Sequence, residues 1–287
     1  MSLPTIGYLH IPKCAGTSIW EALGDVYGEG RCCPLRHDGA LPGGFAVYAG
    51  HFAAARMEGL ALERCFTVLR DPFERLVSAY RFLRSHSEAF ARSEALDLAL
   101  KARSLSFEDF CADPGVARSP YFDNPFIRML TLPALPARWE RAPGEHATQG
   151  LPGEVDIAAA RDTVRRLRMS VFRVGEMDAL ARALSDWTGE PVSLEQRNVT
   201  HRRHIGDVRF EPAAPRDMFE GRSDALRKLP QVARLIGADE RLAERLLAAP
   251  GAVSARAEPP IAEPEAAPDA PVEPAASEPD ATGTPSP

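Results

Sequence analysis

Residues 6–18 read IGYLHIPKCAGTS, and the way this stretch folds decides the rest of the chain. Ile6, Tyr8, Leu9 and Ile11 read as an apolar strand. Pro12, Ala15 and Gly16 make a turn of little bulk. Thr17 and Ser18 are good N-cap residues for the helical run Ile19, Trp20, Leu23, Val26. A glycine turn feeding a helix start leaves backbone N–H groups without partners. Together with the helix dipole they suit a phosphate-like anion. Lys13 adds a full charge at the mouth of the turn, and Thr17 and Ser18 add hydroxyls. The pattern is not a Walker A loop, in which the lysine follows the last glycine; here Lys13 precedes Gly16. The plainer alternative is an ordinary strand–turn–helix with a solvated lysine.

Residues 65–83, CFTVLRDPFERLVSAYRFL, repeat the arrangement. A short apolar strand ends at Arg70, Asp71 caps a helix, and Pro72 takes its first position. Phe73, Leu76, Val77, Tyr80 and Leu83 form the buried stripe, with Arg75 and Ser78 off it. Arg70 falls at the carboxyl end of its strand, the edge where open α/β sheets bind ligands. Two strands therefore deliver cations and hydroxyls to one rim.

The motif pair PKxxGTS and RDPxxRxxSxY resembles the sulfotransferase superfamily. Wording and spacing are most similar to the glycan branch, which includes heparan sulfate 2-O-sulfotransferase and bacterial relatives. The likeness takes in YAGHF at residues 48–52 and continues weakly to residue 203. It implies a P-loop-like, three-layer α/β fold with a mostly parallel central sheet between helices. It also implies 3′-phosphoadenosine 5′-phosphosulfate (PAPS) as co-substrate, with no metal required. Ala15, Gly16, Thr17 and Ser18 would then hold the 5′-phosphate, and Lys13 would meet the bridging oxygen. Arg70 and Ser78 would hold the 3′-phosphate, with Arg202 or Arg203 closing over it. His51 matches the family's catalytic histidine, and Asn124 and Arg128 resemble a helix near the acceptor. The acceptor expected from the resemblance is a hydroxyl on a glycan or other small compound.

Composition sets outer bounds. The chain has 287 residues, 45% hydrophobic and 26% charged, which suits a globular protein. No apolar run is long enough to span a bilayer, and no basic-then-apolar leader opens the chain. These features favour a cytoplasmic, bacterial protein. The formal net charge of −6 is misleading, because residues 251–287 hold seven acids and one base. This Pro-, Ala- and Glu-rich tail reads as disordered, after a sulfotransferase domain over residues 1–250. The domain itself is formally neutral, which argues against nucleic acid as a partner but leaves room for a local anion pocket. Five cysteines without metal spacing read as free thiols, with Cys14 inside the anion loop and open to thiol reagents.

Along the remaining chain, residues 28–44 are an irregular connection and residues 45–50 a second strand ending at His51. Residues 84–152 break the βα alternation and are expected to form an acceptor-binding or lid insertion. Helices follow at 154–168, 177–187, 217–229 and 231–247, with a fourth strand at 171–174. Among seven histidines, His37, His86, His146, His201 and His204 lie in polar surroundings and read as surface residues. His10 reads as a core or supporting group. His51 is the candidate base, since imidazole titrates near working pH. Two other readings compete. A P-loop kinase or NTPase would need a Walker lysine and an aspartate for magnesium, and Asp71 fits a helix cap better. A non-catalytic nucleotide-binding protein on the same fold is the other.

Overall fold

A computed structural model describes residues 3–135, 150–194, 209–211, 219 and 221–248. Arg202 and Arg203, most of the loop before residue 150, and the tail from 251 lie outside the described residues. Four strands form one sheet: β1 (Ile6–Leu9), β2 (Val47–Gly50), β3 (Arg64–Leu69) and β4 (Met169–Arg173). All neighbours run parallel, in the order β2-β1-β3-β4. The parallel sense follows from the helical crossovers, which return the chain to the same edge before each new strand.

The irregular stretch before β2 contributes more than a connection. Cys33 donates to the Val47 carbonyl, Ala46 to that of Arg31, and His51 to that of Arg36. Bridges join Cys32 to Val47 and His37 to His51 in parallel. Residues 31–37 therefore cover the open edge of β2.

The helices, in chain order, are α1 (Gly16–Tyr27), α2 (Pro72–Arg84), α3 (Glu88–Ser93), α4 (Asp97–Ser104), α5 (Phe107–Ala112), α6 (Pro114–Ala117), α7 (Pro125–Thr131), α8 (Glu154–Arg166), α9 (Met177–Thr188), α10 (Ser223–Arg227) and α11 (Pro230–Leu247). Strand alternation divides the core. Ile6, Tyr8, Val47, Ala49, Phe66 and Val68 point to one face, where Ile19 and Leu23 of α1 and Leu180 and Leu184 of α9 cover them. Leu9, Tyr48, Cys65 and Leu69 point to the other, against α2, α4, α5, α7, α8 and α11. The result is the expected three-layer α/β arrangement. The described part of 84–152 consists of helices built into this second core, with Phe107, Phe110, Phe122, Phe126 and Ile127 buried.

One lock in this core involves a residue with a different expected role. Asn124 has a left-handed backbone, φ 49°, and is fully buried. Its N–H and Nδ2 donate to the carbonyls of Leu235 and Arg234, and its Oδ1 accepts from the N–H groups of Ala238 and Asp239. In a regular helix these four backbone groups face one another one turn apart. Asn124 thus ties the start of α7 to one turn of α11 by four hydrogen bonds. Arg128, 6% exposed, forms a buried ion pair with Asp123 and donates to the Gly150 carbonyl.

Three further expectations are corrected. Helix α1 begins at Gly16, so Thr17 and Ser18 sit inside its first turn rather than at the cap; Ala15, in left-handed conformation at φ 60°, is the N-cap and contributes no side-chain bond. Arg75 is not off the stripe but fully buried, because α2 is covered by α4 and α11 as well as by the sheet. His86 is also buried, packed against Phe82 and Phe90, with Nδ1 at 3.1 Å from the Leu83 carbonyl.

Candidate functional site

The loop from β1 to α1 carries two non-glycine residues at positive φ, Lys13 (69°) and Ala15 (60°). Such backbone costs of order 1–3 kcal/mol per residue and gathers at ligand clamps. Here it turns the chain tightly enough to start α1 with no side-chain cap. The first-turn N–H groups of α1 are left for an outside acceptor, an arrangement that favours an anion. Gly16 is required for a second reason. A Cβ there would run into the His10 imidazole, so only glycine lets α1 begin this close to the end of β1.

Lys13 reaches across to α2, where its ammonium sits 4.1 Å from the centroid of the Phe82 ring. Phe82 is one turn beyond Ser78, and Ser78 one turn beyond Glu74, so the three share a face of α2. Arg70, at the end of β3, is held by Glu74 at 3.2 Å. The two sequence motifs therefore converge: loop, Lys13, Arg70 and Ser78 occupy one rim. Arg75 and Arg81 stand near enough to act on Lys13. Burial first, then repulsion from Arg70, Arg81 and Arg75, lowers Lys13 to about 8. A cluster of cations that depress one another is poised for an anion.

Asp71 has a different occupation. It accepts from the Glu74 N–H as N-cap of α2 and pairs with Arg227 at 2.8 Å. Among the described residues, no His, Cys, Asp and Glu side chains gather into a group of three or more that would hold a metal ion.

On the β2 side of the loop lies a cavity of about 300 Å³. His10, Thr17, Trp20, Arg36, His37 and His51 are among the residues that line it. The three imidazoles follow one another, with His10 and His51 centroids 4.1 Å apart and His51 and His37 5.9 Å apart. His51 Nδ1 donates to the His10 carbonyl at 2.6 Å, which fixes the tautomer and leaves the lone pair on Nε2. Burial, and to a lesser degree His37, Lys13 and Arg36, lower His51 to about 4 against the hydrogen bond to His10, which raises it. His10 is also held well below its ordinary range, chiefly by burial. Both rings are neutral at pH 7. Arg36 stacks over Trp20 at the outer wall.

Sequence reasoning placed Lys13, Gly16, Thr17, Arg70, Ser78 and His51 on this rim. It missed Arg75, Arg81 and Phe82, although the spacing from Ser78 on α2 contains the signal for the last two. It also missed that residues 31–37 bring Arg36 and His37 to the cavity. Asn124 belongs to the α7–α11 lock and Arg128 to a buried ion pair with Asp123, and neither lines this cavity. Cys14 is fully buried and its thiol is pushed up to about 12, chiefly by burial, so it is inert rather than open to reagents. All five thiols are free and buried.

No curated protein and no solved structure matches the chain. The model described as the sulfotransferase family matches residues 4–114, the stretch that holds both rim motifs, and this match supports the sulfotransferase superfamily and sulfuryl transfer in general.

Proposed function

We propose that the protein transfers a sulfuryl group from PAPS to the hydroxyl of an acceptor of the glycan type. The observation that carries this reading is the contact between Lys13 and Phe82, which brings the anion loop and the Arg70–Ser78 face together. The residues fit a nucleotide with two separated anionic groups. On one side are an uncapped helix start and Lys13. On the other are Arg70 and Ser78, with a fully buried arginine, Arg75, on the same helix as Ser78; its Nε and Nη2 have no hydrogen-bond partner among the described residues.

The amides of Ala15 to Ser18 and the Thr17 hydroxyl would bind the 5′-phosphate. Arg70 and Ser78 would bind the 3′-phosphate, the group that separates this cofactor from ATP. When bound, PAPS supplies the sulfuryl group, whose bond to the bridging oxygen breaks as a bond to the acceptor oxygen forms. Lys13 stabilises negative charge growing on the bridging oxygen. His51 accepts the acceptor's proton at Nε2, with the ring oriented through Nδ1 by the His10 carbonyl. Cavity and loop share Gly16 and Thr17, so an acceptor beside His51 lies next to the donor.

Titration calorimetry with adenosine 3′,5′-bisphosphate (PAP) tests this. Binding without magnesium is expected, with ATP and ADP far weaker. Arg70→Ala should weaken binding by about tenfold or more, since a charge-assisted phosphate contact is lost. Magnesium-dependent ATP binding with no response to PAP would replace this reading with a kinase.

A further inference from the structure

Arg75 is the largest fully buried side chain of the described residues. One of its donors, Nη1, reaches the Tyr121 carbonyl at 3.1 Å. Its Nε and Nη2 are buried and meet no hydrogen-bond partner among the described residues. No carboxylate forms an ion pair with it there. The acid nearest in influence, Asp239, has both oxygens engaged elsewhere, accepting from the N–H groups of Phe126 and Ile127 at 3.0 Å each. Asp239 thereby caps α7, where Pro125 takes the first position. Cys14, the residue between Lys13 and Ala15, is the other close neighbour, and its thiol stays neutral. The remaining charges that act on this region, Arg70 and Lys13, are positive.

An uncompensated buried charge is costly, and proteins as a rule pair it or replace it with an apolar group of similar shape. The location of Arg75 explains why it is kept. Arg75 is one turn inside α2 from Arg70 and Asp71, and its own N–H donates to the Asp71 carbonyl. Cys14 of the loop and Arg70 are among the groups that act on it electrostatically, and it acts in turn on Lys13. Low dielectric around it lets its field reach the rim with little screening.

We propose that Arg75 is a positioning residue of the anion site, a buried cation that Asp239 offsets only in part and without an ion pair, and whose compensation the bound bisphosphate completes. It touches no ligand atom. It raises the positive potential beneath the Pro12–Gly16 loop and holds α2 to the Tyr121 carbonyl. The consequence is a site whose empty form is held below its attainable stability and whose ligand restores it. This rests on the reading of the rim as a PAP-type nucleotide site.

The test uses the full chain, with urea denaturation and thermal shift on the apo protein and calorimetry with PAP and, separately, inorganic pyrophosphate. Arg75→Met should leave the apo protein as stable as wild type or more stable, and should weaken both anions by roughly tenfold. Arg75→Lys, which keeps the charge, should recover most of the affinity. A merely structural arginine gives the opposite pattern: Arg75→Met destabilised without ligand, and PAP affinity unchanged in whatever folds. If Arg75→Met does not fold, a second uncharged variant, Arg75→Gln, decides: wild-type anion affinity in folded Arg75→Gln overturns the proposal, and affinity lost in Arg75→Gln but kept in Arg75→Lys supports it. Should wild type bind pyrophosphate but not PAP, and Arg75→Met lose that binding, the nucleotide reading fails while the role of Arg75 stands.

Discussion

At the scale of single residues, the proposed function separates groups that bind from groups that act. His51 lines the cavity and is oriented by the His10 carbonyl, so on that proposal its replacement removes a base without removing a phosphate contact. His51→Ala should lower kcat by roughly 10²–10⁴-fold, the usual range for acid–base catalysis, with little change in KM for PAPS. Unchanged turnover in a folded variant would remove His51 from the chemistry. The same residue makes a stability prediction. Its value of about 4 in the folded protein lies below the ordinary 6.5. Between these values the unfolded chain binds the extra proton, so stability falls as pH drops through that window. His51→Ala should flatten part of the decline seen by urea denaturation between pH 7 and 4.5, with His10 contributing the rest. Lys13 offers a third readout. At about 8 it is partly deprotonated under mildly alkaline conditions, unlike an ordinary lysine. On the proposed function, bound PAP would bring negative charge, raise that value and cover the amine. Acylation of Lys13, followed by mass spectrometry at pH 8, should be suppressed by PAP, while that of Lys228 should not change. Equal labelling with and without PAP would place the nucleotide elsewhere.

At the scale of elements, what was legible in the sequence was whatever depends on local chemistry. The run Ile6 to Ile11, the turn at Pro12 and the Asp71–Pro72 helix start each announce themselves within a few residues, and the parallel sense of the sheet follows from the helices between the strands. Burial by distant elements was not legible. Arg75 sits at a polar position of α2 when α2 is viewed alone, and becomes interior only because α11, more than 150 residues away, packs across it. His86 was misread for the same reason. The Asn124 case is instructive, since a polar pair one turn apart has the look of a ligand-binding face. Its surroundings instead make Asn124 a buried clamp on the backbone of α11. Asn124→Ala would remove the side-chain partner of three buried backbone groups, the Arg234 carbonyl and the N–H groups of Ala238 and Asp239, each costing about 1–3 kcal/mol. We expect a loss of stability of at least about 3 kcal/mol, measured by urea denaturation, with PAP affinity in the surviving folded fraction unchanged. A variant of wild-type stability that lost acceptor turnover would return Asn124 to the substrate site. The register between residues 31–37 and β2 was also hidden. Gly50 gives it away only in the structure, where a Cβ would meet the Arg36 carbonyl at 2.7 Å.

At the scale of the whole molecule, charge is distributed in a way the total conceals. Among the described residues no helix is long and apolar enough to cross a membrane, and the cations gather at one rim of the sheet. Chain contacts divide the protein into residues 1–257 and 258–287. The second unit holds all seven acids of the tail and no base, so removing it changes the formal charge from −6 to +1. Its composition, rich in proline, alanine and glutamate, supplies few groups able to pack. Truncation after Ala257 should therefore leave the melting temperature of the remaining protein unchanged. Its effect on an anionic ligand should be electrostatic alone. Seven added negative charges lower the local concentration of a bisphosphate, and salt screens that effect over a Debye length of about 10 Å at 0.1 M. Calorimetry at low ionic strength should show PAP binding as tightly or slightly more tightly to the truncated protein. At several hundred millimolar salt the two proteins should coincide. A melting temperature lower by several degrees, or weaker binding at every salt concentration, would mean that residues 258–287 contribute to the folded site and are not a solvated appendage.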